Sequence, residues 1–423
     1  MTWRRRKARR RFPGSVAGSA LTDPSMSDFD ATAAGEAAAI PPNDGFAAPV
    51  STGRSWPLWP VVLAVIGLTI AAIVWVLASV TVNYYAITPG DATPVGPFIE
   101  VPASLDHPLT GKILLTDVYV SQLTALSYLQ YHFFSSDSEV ISAAELLGPS
   151  TPQDQFIAQG YLEMAQAQSS ATAAALSHLG YVVNPENGGT LIFGITPGSP
   201  AQRVLKVGQV ITSVDGVATP TDCALINALH GKVPGTPASL AVEQSSLNGV
   251  GDFVPGPTVV KSLTLGTPPR GLSDTGCGQA PTAPTAYLGI QPQTQLNWSF
   301  PVKVTVHTRN IGGPSAGLSM TLGIIDKLTG GRLIQNRVVA ATGTIDPQGA
   351  VGDVGGVAEK TVAVERAGAT IFFVPTEELG AAESKATPAL HVYAVSSLDQ
   401  ALKILKGLGG NAPASHLSTQ AAP

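Results

Sequence analysis

Gly312-Gly313-Pro314-Ser315-Ala316-Gly317 and, further along, Gly355-Gly356-Val357-Ala358-Glu359-Lys360 are the stretches that decide how this chain is read. Leu318, Leu322, Ile325 and Leu328 recur every three or four residues after the first stretch, which predicts a helix from Pro314 to Leu328 with Ser315 in its first turn. Unpaired N–H groups and the positive end of the helix dipole gather at such a turn. A second helix is expected to begin at Lys360 and to feed the strand Ile371-Phe372-Phe373-Val374, and Val302, Val304 and Val306 alternate as on a half-buried strand. Serine is a poor nucleophile until a base takes its proton, and lysine becomes that base only when burial or nearby positive potential lowers its pKa. Taken alone, Ser315 is an ordinary helix cap and Lys360 a solvated surface charge. Only together do they form a Ser–Lys pair.

At these residues the chain resembles the proteolytic domain of the Lon family, with its Gly-Pro-Ser-Ala-Gly segment, its Gly-Gly-x-x-Glu-Lys segment and a Thr-Gly pair between them, here Thr342-Gly343. The resemblance covers residues 286–408 and departs at Ile311 and Gly312, where the family often has Asp, and at Thr344, where it often has an acid. It implies Ser315 as nucleophile, Lys360 as base and Thr342 as the residue orienting the lysine. Gly313 and Ala316 are then the candidates for oxyanion and substrate-backbone contact. Related domains form rings, which implies homo-oligomers. No metal ligand set or cofactor is expected, and no Gly-x-x-x-x-Gly-Lys-(Ser/Thr) nucleotide loop occurs, so an ATP-independent serine endopeptidase acting on exposed or unfolded polypeptide is the expectation. Two rivals stand beside it. The segment also fits the nucleophile elbow of α/β-hydrolases, with Asp353 and His391 in the required order, although Pro314 suits that turn poorly. The other rival is a non-catalytic membrane adaptor.

Arg4, Arg5, Arg6, Lys7, Arg9, Arg10 and Arg11 crowd the N-terminus, and residues 1–55 read as a disordered basic tail. From Pro57 to Val82 no charged residue occurs, a run longer than the roughly 20 residues that cross a bilayer. Residues 56–85 are therefore the expected transmembrane helix, an uncleaved anchor with Trp56, Trp59, Tyr84 and Tyr85 at its ends. The basic cluster places the tail in the cytoplasm and the remainder outside the cell membrane. A net charge of −5 gives no reason to expect nucleic acid.

Residues 86–177 read as juxtamembrane strands followed by a helical segment broken at Gly148-Pro149-Ser150-Thr151-Pro152, serving either packing or substrate contact. Residues 178–268 turn β-rich. Pro197-Gly198-Ser199-Pro200-Ala201, then Gly208-Gln209-Val210-Ile211 and Val214-Asp215-Gly216, resemble a bacterial PDZ domain, with Gln209 in place of the usual Asp. PDZ domains add an extended peptide to a sheet edge. That resemblance makes Leu179, Gly180 and Tyr181 the candidate peptide-binding loop, the alternative being a spacer or plug. Cys223 and Cys277 are the only cysteines and are either a disulfide or two thiols. Residues 269–285 form a linker and 409–423 a flexible tail. The expected fold class is multidomain: one transmembrane helix, a helical segment, a β-rich PDZ-like domain and an α/β Lon-type domain.

Overall fold

The computed structural model describes residues 3–4, 57–148, 150–248, 253–270, 277 and 285–413. Arg6–Trp75 separates from the rest of the chain as its own unit, and most of the basic tail lies outside the described residues. Trp59–Ser79 is a 21-residue helix with no charged residue and no buried side chain. At 1.5 Å per residue it is about 30 Å long, the thickness of a bilayer's hydrocarbon core. The helix stops earlier than the apolar run predicts, because Thr81 already opens a strand. Tyr85, read above as an interfacial anchor, is 5 % exposed within that strand.

The strand Thr81–Pro94 begins a six-stranded mixed sheet whose order is His391–Val395, Ile371–Pro375, Val338–Ala341, Lys112–Thr124, Thr81–Pro94, Glu139–Ser142. The first four run parallel and the last two join antiparallel. Residues 81–142, which the sequence reading placed outside the 286–408 domain, supply three of the six strands of this sheet. Their alternation was hidden by Pro89, Pro94 and a register shift between Pro89 and Ala92.

Side chains alternate between two layers. Ile113, Leu115, Val339, Ala341 and Phe373 enter a core with the helices Gln153–His178, Gly317–Leu328 and Leu398–Gly407. Leu114, Ala340, Phe372 and Val374 pack on the other face under Val357–Arg366 and Leu379–Glu383. Ala167, Ala171, Ala174 and Ala175 of the long helix are all buried against the first of these layers, and such small residues let neighbouring backbones approach closely. The sequence reading of two helices over 121–178 becomes three, with the strand Glu139–Ser142 between them.

The second sheet is inserted between the two halves of the first. Its order is Phe253–Thr264, Pro237–Leu247, Val210–Val214, Asn184–Ile195, Ile290–Ser299, with the helix Asp222–Leu229 beside it. A disulfide joins Cys223 in that helix to Cys277. Ile290–Ser299 was expected inside the catalytic domain, yet it pairs antiparallel along Asn184–Ile195, from Ile290 opposite Ile195 to Ser299 opposite Asn184. Val302 and Val304 fall outside any strand; only Thr305–Val306 pairs, with Ile99–Glu100. Trp3–Arg4 pair antiparallel with Ile311–Gly312.

Candidate functional site

Ser315, Thr342 and Lys360 converge at the carboxyl ends of the parallel strands, each with no solvent exposure. Ser315 sits in the turn Pro314–Ala316 that opens the helix Gly317–Leu328. Gly313 before it has φ +85, a conformation that a side chain resists. Gly317 after it lies against Ile345, whose backbone N would be 2.8 Å from any Cβ there. The segment's small residues are therefore fixed by packing as well as by chemistry.

Lys360 is the fourth residue of the helix Val357–Arg366, one turn further in than expected. Gly356 caps that helix in a left-handed conformation, φ +69. The lysine reaches through the core so that Nζ lies 3.1 Å from Ser315 Oγ and 3.3 Å from Thr342 Oγ1. Thr342 Oγ1 in turn donates to the Ser315 carbonyl at 3.3 Å, and the Gly343 N–H donates to the same oxygen at 2.9 Å. One threonine thus touches both members of the pair.

Complete burial penalises the ammonium form and brings the Lys360 pKa down from 10.5 to about 7, while the negative charges of Asp117, Glu378 and Glu359 hold it from falling further. The neighbouring Glu359 carboxyl is pushed up, chiefly by burial. An amine near neutrality is half deprotonated at pH 7, which is what a general base requires.

The other sequence candidates fare differently. The Gly313 N–H donates to Gly160 O at 2.6 Å, so it is already engaged. The Ala316 side chain is buried in the core with the long helix, so its small size serves packing. Leu179, Gly180 and Tyr181 close the helix Gln153–His178: their N–H groups donate to Ala175, Ser177 and Leu176 carbonyls, with Gly180 at φ +88. Those donors are spent within the chain and offer nothing to a peptide carboxylate. The edge of Asn184–Ile195 that a peptide would join is taken by Ile290–Ser299. Thr294 there exchanges hydrogen bonds with Asp222, its hydroxyl donating to Oδ1 at 2.7 Å and accepting the Asp222 N–H at 3.2 Å. His391 is paired with Ile371, at the amino ends of the parallel strands, whereas Thr342 follows their carboxyl ends. The histidine of the α/β-hydrolase rival is thus at the far end of the sheet from the serine. Among the described residues no group of His, Cys, Asp and Glu is arranged to hold a metal.

Residues 288–406 match the model of the Lon protease (S16) C-terminal proteolytic domain family. Lon protease from Chloroflexus aggregans is 34 % identical over 122 residues, 28 % of this chain and 15 % of that protein. Lon protease from Methylocella silvestris is 40 % identical over 90 residues, 21 % of this chain and 11 % of that protein. This chain therefore spans about 15 % or less of the length of these relatives. The PDZ domain of an SdrC-like protein from Listeria monocytogenes aligns over 25 % of this chain and 86 % of that one, at 19 % identity and a TM-score of 0.18. Over residues 288–406 the chain is thus similar to a Lon-type proteolytic domain.

The lysine makes stability depend on pH in a calculable direction. Its folded pKa lies below the unfolded one, so the unfolded chain binds the proton more tightly and stability rises with pH between about 7 and 10.5. Below that window the full penalty applies, on the order of 5 kcal/mol. Lys360→Met is expected to raise the urea midpoint at neutral pH and to flatten this rise; a variant less stable than the parent at neutral pH would contradict the buried-amine account.

Proposed function

We propose that this chain is a membrane-anchored, ATP-independent serine endopeptidase that cleaves exposed or unfolded polypeptide outside the cytoplasm. The observation that carries the reading is the Lys360 Nζ–Ser315 Oγ distance of 3.1 Å within a fully buried, Thr342-linked pair. Neutral Lys360 accepts the Ser315 proton as Oγ attacks the scissile carbonyl. N–H groups at the head of the serine helix stabilise the oxyanion. The Lys360 ammonium then protonates the leaving amine, and water releases the acyl group by the same base in reverse.

The pair's zero exposure means that an extended substrate has to open the site. Ile311–Gly312 is the strand edge that leads into Ser315, and its pairing with Trp3–Arg4 supports antiparallel entry there. A tail retained across a bilayer would leave that edge to substrate. Anchoring by Trp59–Ser79 supports this arrangement. The PDZ-like sheet, with its edge filled by Ile290–Ser299, acts as a clamp on the strand that feeds the serine loop rather than as a receptor for foreign termini.

Three outcomes test this reading. Ser315→Ala and Lys360→Ala should each remove peptide hydrolysis by the full chain in lipid nanodiscs, roughly a thousandfold or more. Thr342→Val should lose less, and wild-type activity should rise with pH through about 7 without ATP or metal; near-full activity in Lys360→Ala would refute the pair. Protease added to intact cells should cut residues 178–268 but spare an N-terminal tag, and cleavage of the tag with the cells sealed would reverse the orientation. Immobilised C-terminal peptides should fail to bind the chain, whereas saturable binding lost on altering residues 184–195 would restore the receptor role.

A further inference from the structure

Asp117 is a carboxylate with no solvent exposure in the centre of the catalytic sheet, and the steps described so far leave it without a part. Its strand runs parallel to Val338–Ala341, with Leu115 opposite Ala341. Continuing that register sets Thr116 beside Thr342 and Asp117 one residue beyond, at the strand end where the Ser–Lys pair is assembled. Val118, its neighbour, lies against Gly356 at the head of the lysine helix, where a Cβ would come within 3.0 Å of its side chain.

The carboxylate is held in place. Its Oδ1 accepts the Asp91 N–H at 2.6 Å, and a Cβ at Gly90 would collide with the same oxygen. Asp91 is fixed in turn by the Tyr119 hydroxyl, which donates to its Oδ2 at 2.8 Å. A buried carboxylate is costly and persists where a charge or donors compensate it.

We propose that Asp117 is a positioning residue for the lysine base, the buried counter-charge that receives the Lys360 ammonium once the amine has taken the Ser315 proton. The inference rests on the Ser–Lys reading above. Asp117 stands first among the charges that favour the protonated lysine, ahead of Glu378 and Glu359. Glu378 follows the strand Ile371–Pro375 and is partly exposed, so solvent screens it. Glu359 shares the lysine helix, and Glu139 from the edge strand acts on it in the sense that keeps its proton on. Of the remaining titratable groups packed around the helix, Tyr85 on Thr81–Pro94 is driven toward its neutral form by burial. Glu383 lies exposed at the end of Leu379–Glu383. The acidic charge missing at Ile311, Gly312 and Thr344 thus enters the site from a strand nearly two hundred residues upstream of the serine.

Removing the counter-charge makes the ammonium harder to form. The rising limb of the pH–rate profile, expected near 7 for wild type, should move to lower pH by about one unit or more in Asp117→Asn, with a lower plateau because the base is weaker. Asp117→Glu should bring the limb back toward the wild-type position. A limb unmoved in Asp117→Asn overturns the proposal, since a purely structural role changes the plateau alone. The second measurement needs no activity. At a pH below the lysine value, Lys360→Met should raise the melting temperature more in the Asp117→Asn background than in wild type. Equal increments overturn the proposal, as does a double variant that remains unfolded with Asp117→Asn. Should Asp117→Asn fold only when Lys360→Met is added, the charge coupling is demonstrated directly. An inactive wild type would remove the Ser–Lys reading while the melting comparison still decides Asp117.

Discussion

A single amine taken wholly out of water organises this molecule. An ammonium buried without full compensation is unfavourable by several kcal/mol, and that same cost is what leaves Lys360 partly neutral at physiological pH. The low pKa of this amine is therefore made by the fold rather than by its own chemistry. Everything that excludes water from Nζ belongs to the site: the serine helix, the Ala-rich helix behind it, the strand carrying Thr342 and the strands from the N-terminal half. A loosened core would return the lysine toward its ordinary pKa.

This dependence explains why the sheet cannot be cut at the boundary that the motifs imply. Val338–Ala341, which delivers Thr342, lies between Ile371–Pro375 and Lys112–Thr124. One neighbour comes from within the Lon-type match and the other from a segment that follows the apolar helix Trp59–Ser79. Without Lys112–Thr124 a central strand would become an edge, with its N–H and C=O groups unpaired and Ala340 and Ala341 open to water. Residues 112–124 thus complete the core around Thr342.

The inserted sheet extends the same logic to the serine loop. Ile290–Ser299 falls by sequence within the Lon-type match but pairs by hydrogen bonding with the inserted sheet. From Ser299 only the residues up to Gly313 separate that sheet from Pro314. Cys223–Cys277 ties the preceding linker to the helix beside this strand, so the path into the serine turn is anchored on both sides. Gly160 of the long helix adds a third anchor by accepting the Gly313 N–H.

The grouping of Ser315, Thr342 and Lys360 was legible in the sequence, because they sit in short local motifs whose small residues answer to local constraints: Gly313 to a positive φ, Gly317 to contact with Ile345. The apolar helix was legible too, since 21 uncharged residues need no partner to be recognised. What the sequence left ambiguous was decided by hydrogen-bond partners. Gly180 was read as a ligand loop, when the same positive φ serves as a helix C-cap; both uses want glycine, and only the hydrogen bonds distinguish them. Strands 81–94 and 112–124 lacked a clean alternation, and the second takes its place in the sheet by pairing with residues more than two hundred positions away. Asp117 carries no local signal at all. A lone acid in a strand takes its meaning from what is buried beside it, and burial is a property of the assembled fold: the sequence by itself singled out the serine, threonine and lysine, whereas the tertiary structure decided the dielectric in which they meet.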